Sequence, residues 1–436
     1  MCNGYCTSCN GEPMTSSDCS VNPGALAALR EEPLDWRFKS IPSALWGLSL
    51  ADAAAQRLSL FDDGFLAPLV VLDADALEHN LRTMAAWCAE HGVRLAPHGK
   101  TTMAPQLFAR QIEHGAWGMT AANAGQLRVY RAFGVSRVLL ANQLVDPAAL
   151  RWLAAELDGD DGFEFSCWVD SVRSAELMTE ALQGTRRQVD VLVELGGEGG
   201  RTGARDEATA LAIAETVQSS PALRLTGVGG YEGALAHDSS PHSKEIVSGY
   251  LRRLRELTIT LAQRGFLGGQ IVVTAGGSAY FDLVAAELAG GWPDGLDVLP
   301  VLRSGAYVTH DDGFYRSISP LGHRFRPALR AWAQVTSKPA DELALLTMGK
   351  RDASFDEGLP EPQLFRRDGV TGQLAGHEVT AMNDQHSFLS LPPGSPLRVG
   401  DWVGLGLSHP CTVFDKWQLI PVVDGETVVD LVRTYF

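Results

Sequence analysis

The sequence lacks several features that would assign it to a membrane, secreted or nucleic-acid-binding class. None of its apolar runs reaches the 18 uncharged residues expected of a membrane-spanning helix. Residues 1–20 contain neither a basic region nor an apolar core, so they do not resemble a secretory signal. Basic residues are scarce, because 36 Lys and Arg stand against 52 Asp and Glu, for a net charge of −16. This charge disfavours nucleic acid and anionic membranes as partners.

Cysteine is also scarce, and its distribution does not indicate a disulfide framework. Four of the seven cysteines crowd into the first 20 residues, and the other three are far apart. A chain of 436 residues can stabilise its core without disulfides, so we expect a reducing, cytoplasmic environment. Residues 1–30 are interpreted as a disordered tail. The alternative is that Cys6 and Cys9 bind a metal or act in redox chemistry.

From Pro68 onward, short β-rich runs alternate with amphipathic helical runs, which is typical of a parallel sheet built from βα units. Nine candidate strands lie at 69–73, 94–98, 117–121, 138–142, 164–170, 191–196, 225–231, 271–276 and 297–305. A (β/α)8 barrel needs eight strands, so the first would lie outside it. An open Rossmann sheet is the alternative. Beyond residue 320, short apolar runs separated by Gly, Pro and Asp predict an antiparallel β domain.

We therefore predict an α/β protein with a (β/α)8 TIM-like barrel and a C-terminal antiparallel β domain. The predicted boundaries are an N-terminal extension at 1–62, a barrel domain at 63–320 and the β domain at 321–436. A helical pattern at 44–60 falls within the extension.

The motif with the strongest chemical implication is APHGKTTMAP at 96–105. Lys100 follows a predicted strand in a glycine-containing turn, and barrel enzymes place catalytic groups at that end of their strands. A lysine there can form a Schiff base with a carbonyl substrate or with pyridoxal phosphate (PLP). The alternative is an exposed lysine in an ordinary loop.

Three glycine-rich turns follow later strands and suit close approach of the backbone to a ligand. The turn ELGGEGGRTGAR at 194–205 contains Arg201 but fits neither the dinucleotide-binding nor the Walker pattern. The turns TAGGSAYFD at 274–282 and LRSGAYVTHDDG at 302–313 follow the predicted seventh and eighth barrel strands, where TIM barrels often bind phosphate. Ordinary turns are the alternative in each case.

The predicted β domain contains GLSHPCTVFD at 406–415. If this segment is extended, His409 and Cys411 face the same side and together suit Zn²⁺. A core cysteine beside a hydrogen-bonded histidine is the alternative. The segment 383–389 adds Asp384 and His386, which could support a metal ligand or bind substrate.

Together, PHGKT, GRTG, GYEG, GGS and the late His-x-Cys pair resemble the PLP-dependent D-serine dehydratase and D-threonine aldolase family. That family has a barrel of the alanine racemase N-terminal type. The resemblance covers residues 65–436. Thr102, Met103 and the segment 384–386 depart from the residues expected there, and these departures bear on substrate choice.

The resemblance implies a role for each matched barrel residue. Lys100 would be the Schiff-base lysine and the base for the Cα proton. Arg201 would approach the phenolate oxygen of PLP, and Tyr231 the pyridine nitrogen, with Arg303 as the rival for that contact. The residues implied in phosphate binding are Gly277, Ser278, Gly305 and Ala306, with Tyr307 nearby.

The resemblance also implies a metal, an assembly and a topology. His409 and Cys411 would bind a divalent metal, Zn²⁺ first, with Mn²⁺ or Co²⁺ as alternatives. The first strand, at about 67–73, would pair with the C-terminal domain rather than with the barrel. The chain would act as a homodimer on a small-molecule D-amino acid.

The implied activity is that of a lyase on small D-3-hydroxy amino acids, which dehydrates D-serine or D-threonine to a 2-oxo acid and ammonia. The metal would assist loss of the β-hydroxyl. His-x-Cys is expected in the dehydratases and His-x-Asp in the aldolases, so the sequence favours dehydration. The nearest alternative is a D-threonine-type aldolase, which would yield glycine and an aldehyde.

Two alternatives belong to other classes. A non-catalytic PLP-binding protein is disfavoured by the β domain and by the His-x-Cys pair. A PLP-free metal-dependent hydrolase would need several His and Asp ligands at the ends of barrel strands, and the sequence does not supply them there.

Overall fold

The computed structural model describes residues 19–436, which form two compact units. The first unit comprises the described residues up to Asn22, residues 84–100 and residues 108–305. The second comprises residues 23–83, 101–107 and 306–436. Residues 23–62, which belong to the N-terminal extension predicted at 1–62, thus lie in the same unit as the C-terminal β strands.

The strands, in chain order, are β1 (Leu69–Asp73), β2 (Arg94–Leu95), β3 (Met119–Ala121), β4 (Arg137–Gln143), β5 (Glu164–Val169), β6 (Val189–Leu195), β7 (Leu223–Gly230), β8 (Gln270–Ala275), β9 (Asp297–Leu302), β10 (Leu329–Ala340), β11 (Leu343–Leu346), β12 (Glu361–Arg367), β13 (Val370–Gln373), β14 (Glu378–Met382), β15 (Ser387–Ser390), β16 (Trp402–Gly406), β17 (Leu419–Asp424) and β18 (Thr427–Arg433). Each of the nine strands predicted between residues 69 and 305 has a counterpart among β1 to β9.

The α-helices, in chain order, are α1 (Pro23–Arg30), α2 (Leu50–Ala55), α3 (Ala74–Glu90), α4 (Pro105–Glu113), α5 (Ala124–Ala132), α6 (Pro147–Gly159), α7 (Val172–Ala181), α8 (Glu207–Gln218), α9 (Pro241–Gln263), α10 (Phe281–Leu288), α11 (Phe314–Ile318) and α12 (Cys411–Phe414). Short 3₁₀ turns lie at Ser43–Leu45, Gly99–Thr101, Glu232–Ala234 and Ala306–Val308.

The first unit is a parallel eight-stranded barrel in the order β2-β9-β8-β7-β6-β5-β4-β3. A parallel bridge between His98 and Thr120 joins the two ends of this order, so the sheet returns on itself. The predicted TIM-like barrel is therefore confirmed, and the open Rossmann sheet is rejected.

Side-chain caps fix where several barrel helices begin. Asn123, Asp146 and Asp206 each accept a hydrogen bond from the amide three residues later, at the first turns of α5, α6 and α8. Such caps satisfy backbone donors that a helix start leaves without a partner.

The second unit is built on a ten-stranded, mainly antiparallel sheet, which confirms the predicted antiparallel β domain. Strand β1 lies within it, antiparallel to β10, where Leu69 faces Trp332, and parallel to β17, where Leu72 faces Val422. This pairing leaves eight strands for the barrel and accounts for the ninth.

The helical pattern predicted at 44–60 is only partly realised. It forms the turn Ser43–Leu45 and the six-residue helix α2, and the remainder is irregular. Several of its apolar residues are nevertheless buried, since Leu45 and Leu60 share a core cluster with Trp332 and Leu431. Burial against the sheet, rather than a continuous amphipathic helix, explains the apolar spacing.

The prediction of a disordered tail at 1–30 is wrong for the described residues 19–30. Cys19 is 4% exposed, and its thiol donates to the carbonyl of Arg137. The amide of Asn22 donates to the carbonyl of Phe133 at 2.8 Å, and α1 follows directly. Cys2, Cys6 and Cys9 lie outside the described residues. Within residues 19–436, no helix is both long and apolar enough to cross a membrane.

Candidate active site

Lys100 lies directly beyond β2, in the 3₁₀ turn Gly99–Thr101, and is exposed. A Cβ on Gly99 would collide with the hydroxyl of Tyr130, which donates to the carbonyl of Thr120 at 3.0 Å. The turn before the lysine therefore needs a residue without a side chain. This need explains the glycine within the PHGKT motif.

His98 precedes this turn, and its Nδ1 is buried without a hydrogen-bond partner among the described residues. Burial holds the pKa of His98 well below 6.5, and the positive charges of Lys100, Arg303 and Arg201 lower it further. Charged residues from three loops, those after β2, β6 and β9, thus act electrostatically on His98 at the same end of the barrel. The lowered pKa favours the neutral form of His98, and the surroundings of the ring are electropositive.

Arg201 and Tyr231 belong to the loops that follow β6 and β7. The guanidinium carbon of Arg201 lies 4.6 Å from the centre of the Tyr231 ring, which is within cation–π distance. Arg201 is exposed and Tyr231 is half-buried. The structure therefore brings together two residues that the sequence assigned to the cofactor ring.

Two residues that sequence analysis missed hold the Arg201 loop in place. Glu194, 3% exposed, accepts hydrogen bonds from Gln143 Nε2 at 2.5 Å and from Thr202 Oγ1 at 2.8 Å. Burial raises its pKa despite these two bonds. Arg205 donates to the carbonyl of Gly200 at 2.9 Å, and so fixes the other side of the loop.

Glu232 was also missed, although it lies within the GYEG motif. Its side chain is fully buried, and its two carboxylate oxygens accept the amides of Gly276 and Gly277, each at 2.9 Å. These amides belong to the glycine turn that was predicted to bind phosphate. The carboxylate thus determines the conformation of the turn, and the amide of Gly277 already has an acceptor.

The turns after β8 and β9 lie side by side. Ser304 Oγ donates to the carbonyl of Gly277 at 2.5 Å, which ties the two turns together. Ser278 follows Gly277 in the sequence and is half-buried, and Gly305 follows Ser304 and is buried. Ala306 and Tyr307 belong to the second unit, where both are 3% exposed.

Arg303, the rival for the pyridine contact, is 4% exposed and already makes hydrogen bonds within the barrel. Its NH1 donates to Thr274 Oγ1 and its NH2 to the carbonyl of Gly230, both at 2.6 Å. Its guanidinium also lies 4.9 Å from the Trp168 ring centre. These contacts commit Arg303 to linking strands β7, β8 and β9.

His409 and Cys411 do not lie on an extended segment, so that expectation is wrong. His409 has a left-handed backbone with φ +50°, and Cys411 is the first residue of helix α12. The turn nevertheless brings the two side chains together. Burial alone would lower the pKa of His409, but Cys411 first and Asp356 second raise it to about 9.

Neighbours of this pair come from distant parts of the chain. Nδ1 of His409 lies 2.7 Å from Oδ2 of Asp356, and Cys411 Sγ donates to Thr101 Oγ1 at 3.4 Å. Across residues 19–436, no three His, Cys, Asp or Glu side chains are arranged to hold a metal ion. The arrangement therefore offers one nitrogen and one sulfur donor.

Asp384 and His386 lie in the exposed connection between β14 and β15. Asp384 forms an ion pair with Arg351 at 3.5 Å, and the amide of Asn383 donates to the carbonyl of His386. Their contacts are those of a surface turn.

Comparison with known proteins agrees with this architecture. The model of the alanine racemase N-terminal domain matches residues 72–289, and that of a putative serine dehydratase domain matches residues 328–423. A D-threonine aldolase from Arthrobacter sp is 28% identical over 366 residues, which cover 84% of this chain and 90% of the relative. A D-threo-3-hydroxyaspartate dehydratase from Delftia sp. (strain HT23) is 26% identical over 340 residues, 75% of this chain and 84% of the relative.

Solved structures agree as well. The crystal structure of D-threonine aldolase from Filomicrobium marinum superposes with a TM-score of 0.73, at 26% identity, over 85% of this chain and 95% of that one. A D-threo-3-hydroxyaspartate dehydratase with a cysteine changed to alanine, in its metal-free form, has a TM-score of 0.69 over 85% of this chain and 98% of that one. Its identity of 22% supports the fold alone.

A parallel barrel with a lysine after its first strand, joined in sequence to an antiparallel β domain, defines the class of barrel proteins that use PLP. Within that class, the chain belongs to the alanine racemase N-terminal domain family.

Proposed function

We propose that the chain is a PLP-dependent lyase that dehydrates small D-3-hydroxy amino acids, D-serine or D-threonine, to a 2-oxo acid and ammonia. The observation that carries this proposal is the position of Lys100 beyond β2, in a domain of the alanine racemase type. The two relatives compared above are named as a D-threonine aldolase and a D-threo-3-hydroxyaspartate dehydratase, and both names specify a D-amino acid with a hydroxyl at Cβ.

The barrel residues fit an anionic cofactor that carries a phosphate. Lys100, Arg201 and Arg303 make the surroundings of His98 electropositive. Nδ1 of His98 and Nε1 of Trp168 are buried without partners among the described residues, so hydrogen-bonding capacity remains for a polar ligand. When bound, PLP supplies an electron-accepting ring that stabilises negative charge at the substrate Cα.

In this proposal, Lys100 Nζ binds the cofactor and later removes the proton from the substrate Cα. Tyr231, which lies against the guanidinium of Arg201, is proposed at the pyridine nitrogen, because Arg303 is held within the barrel by its bonds to Thr274 and Gly230. The partial exposure of Tyr231 supports this choice.

For the phosphate we propose Ser278, Gly305 and Ala306, with Tyr307 nearby. Gly277 contributes by having no side chain, since its amide donates to Glu232 and a Cβ would lie 3.1 Å from the Tyr231 ring. The hydrogen bond from Ser304 to the Gly277 carbonyl supports a common site on the two turns.

His409 and Cys411 are proposed to hold a divalent metal, Zn²⁺ in the first place. An imidazole nitrogen and a thiolate are donors that Zn²⁺ prefers, and two protein donors leave coordination positions for water or substrate. When bound, the metal supplies a Lewis acid for the β-hydroxyl of the substrate.

Dehydration is favoured over retro-aldol cleavage by Cys411. A dehydratase must expel the hydroxyl, so a strong Lewis acid on that oxygen helps it most. Retro-aldol cleavage is the second candidate, and it is favoured by the 28% identity to the Arthrobacter D-threonine aldolase. The two reactions give different products from the same substrate.

The test is a product assay with purified protein, PLP and Zn²⁺. Dehydration converts D-serine to pyruvate and ammonia, and D-threonine to 2-oxobutyrate and ammonia, with the L-amino acids as controls. Glycine and acetaldehyde as the main products from D-threonine would establish the aldolase instead. Bound PLP without turnover of any D-amino acid would indicate the non-catalytic alternative.

We also propose a homodimer in which each β domain covers the barrel mouth of the other chain. The second unit of the chain, with its own sheet, supports a cover of this kind. Light scattering that found a fully active monomer would contradict it.

The four cysteines of residues 19–436 are free thiols, which supports a reducing, cytoplasmic environment.

A further inference from the structure

One carboxylate links two residues of the segment that carries His409 and Cys411. Oδ2 of Asp356 lies 2.7 Å from Nδ1 of His409, and Oδ1 accepts the hydroxyl of Thr412 at 2.8 Å. Asp356 belongs to the connection between β11 and β12, 53 residues before the histidine. Both oxygens are thus used: one partner, His409, is a proposed metal ligand, and the other, Thr412, directly follows Cys411.

The use of Nδ1 determines which nitrogen remains for a metal. A histidine that binds a metal is neutral, so one ring nitrogen holds the proton and the other offers its lone pair. A carboxylate at Nδ1 accepts that proton as a hydrogen bond and leaves Nε2 to the metal. The electrostatic and hydrogen-bonding interaction between His409 and Cys411 places the thiol beside the same ring.

The backbone around His409 is held independently of this carboxylate. The amide of His409 donates to Oδ2 of Asp311 at 2.9 Å, and Asp311 is 3% exposed. The amide of Thr412 also donates to the carbonyl of His409 at 3.3 Å. These bonds hold a left-handed conformation that a histidine rarely adopts, with φ +50°. The backbone is therefore fixed without Asp356, and the carboxylate acts on the ring.

We propose that Asp356 is a positioning residue that orients the His409 ring and keeps Nε2 available for the metal. This inference rests on the proposed metal site at His409 and Cys411. It gives Asp356 the supporting role that sequence analysis considered for Asp384 and His386, which lie in an exposed turn.

The experiment measures Zn²⁺ affinity of the PLP-loaded protein by competition with a chromophoric chelator. Asp356→Asn is expected to weaken Zn²⁺ binding by about 10- to 100-fold, the usual effect of removing such a partner. Asp356→Glu, which keeps the charge, is expected to restore part of the affinity. Asp384→Asn is the matched control and is expected to bind Zn²⁺ as the native protein does.

Co²⁺ provides a second readout that a merely structural role would not change. The visible spectrum of the Co²⁺-loaded Asp356→Asn protein is expected to differ from that of the native protein, while the PLP absorbance and the unfolding temperature of the metal-free proteins agree. The role of Asp356 would be overturned if the native and Asp356→Asn proteins bound Zn²⁺ equally well while His409→Ala and Cys411→Ala both lost Zn²⁺ affinity. That result would leave the proposed function standing. The metal site itself would be overturned if the native protein bound no Zn²⁺, or if the His409→Ala variant bound Zn²⁺ with the same affinity as the native protein.

Discussion

The thiol of Cys411 donates a hydrogen bond to Thr101 Oγ1 at 3.4 Å, although 310 residues separate the two in the chain. Thr101 is 3% exposed and is the residue that follows Lys100 in the sequence. A hydroxyl beside a metal-bound sulfur would donate to the thiolate and hold it in place. The threonine of PHGKT thereby acquires a role that the motif alone does not reveal.

Thr101→Val should therefore weaken Zn²⁺ binding about fivefold, because one hydrogen bond contributes about 1 kcal/mol net. Thr101→Ser keeps the hydroxyl and serves as the control, with affinity close to native. Both are measured by the chelator competition described above. Equal affinity for the valine and serine variants would show that this hydrogen bond does not support the metal ligand.

Lys100→Ala should abolish covalent attachment of PLP, since no other group is proposed to bond to the cofactor. The native protein should be yellow, and borohydride should fix PLP to the peptide that contains Lys100, as read by mass spectrometry. Lys244→Ala, an exposed lysine on α9, is the control and should retain the colour. Cofactor fixed at another lysine in the native protein would refute the assignment.

Glu232→Gln should lower both stability and PLP affinity. The amide keeps one acceptor oxygen but turns an NH₂ group toward a backbone N–H, so one buried donor loses its partner. Such a loss costs about 1–3 kcal/mol, measured by urea unfolding. PLP titration should show weaker binding because the glycine turn is no longer held. Glu256→Gln, on the exposed side of α9, should change neither quantity.

His98 should make the free energy of unfolding of the cofactor-free protein fall as the pH drops below about 6.5. Burial, then the charges of Lys100, Arg303 and Arg201, keeps the folded-state pKa of His98 well below 6.5. In the window between the two pKa values the unfolded chain binds one more proton, which favours unfolding by up to about 1.4 kcal/mol per pH unit.

The measurement is urea unfolding at pH 7.5, 6.5 and 5.5. His98→Asn should remove this contribution, whereas His237→Asn, at an exposed position, should leave the pH dependence as in the native protein. An identical pH dependence in the His98→Asn and native proteins would count against the depressed pKa.

Iodoacetamide should modify Cys411 before Cys88 and Cys167, and Zn²⁺ should protect it. Cys411 is partly exposed, whereas the other two are buried. Burial raises the pKa of Cys88 to about 12 and raises that of Cys167 as well, so neither forms the reactive thiolate at pH 8. Peptide mass spectrometry follows each cysteine separately. Faster alkylation of Cys88 than of Cys411 would contradict the described burial.

The parts of the fold that the sequence predicted are those that depend on residues close to one another in the chain. The strand at Leu69–Asp73 was located at its observed bounds, and Lys100 was placed correctly beyond a short strand. Periodicity indicated these elements because side-chain burial repeats within a few residues. The same local pattern misled the analysis at 44–60, where buried apolar residues occur without a long helix.

The sequence by itself determined the alternation of strands and helices, the change to β structure near residue 320 and the motifs that carry the lysine and the His-x-Cys pair. The resemblance implied that the first strand pairs with the C-terminal domain, but only the tertiary structure decided that its partners are β10 and β17, because the apolar composition of a buried strand does not identify its neighbours. Only the structure assigned Glu232 and Asp356, whose partners lie 44 and 53 residues away. A carboxylate carries no local sign of the donor it will meet, so its role is decided when folding brings that donor within hydrogen-bond distance.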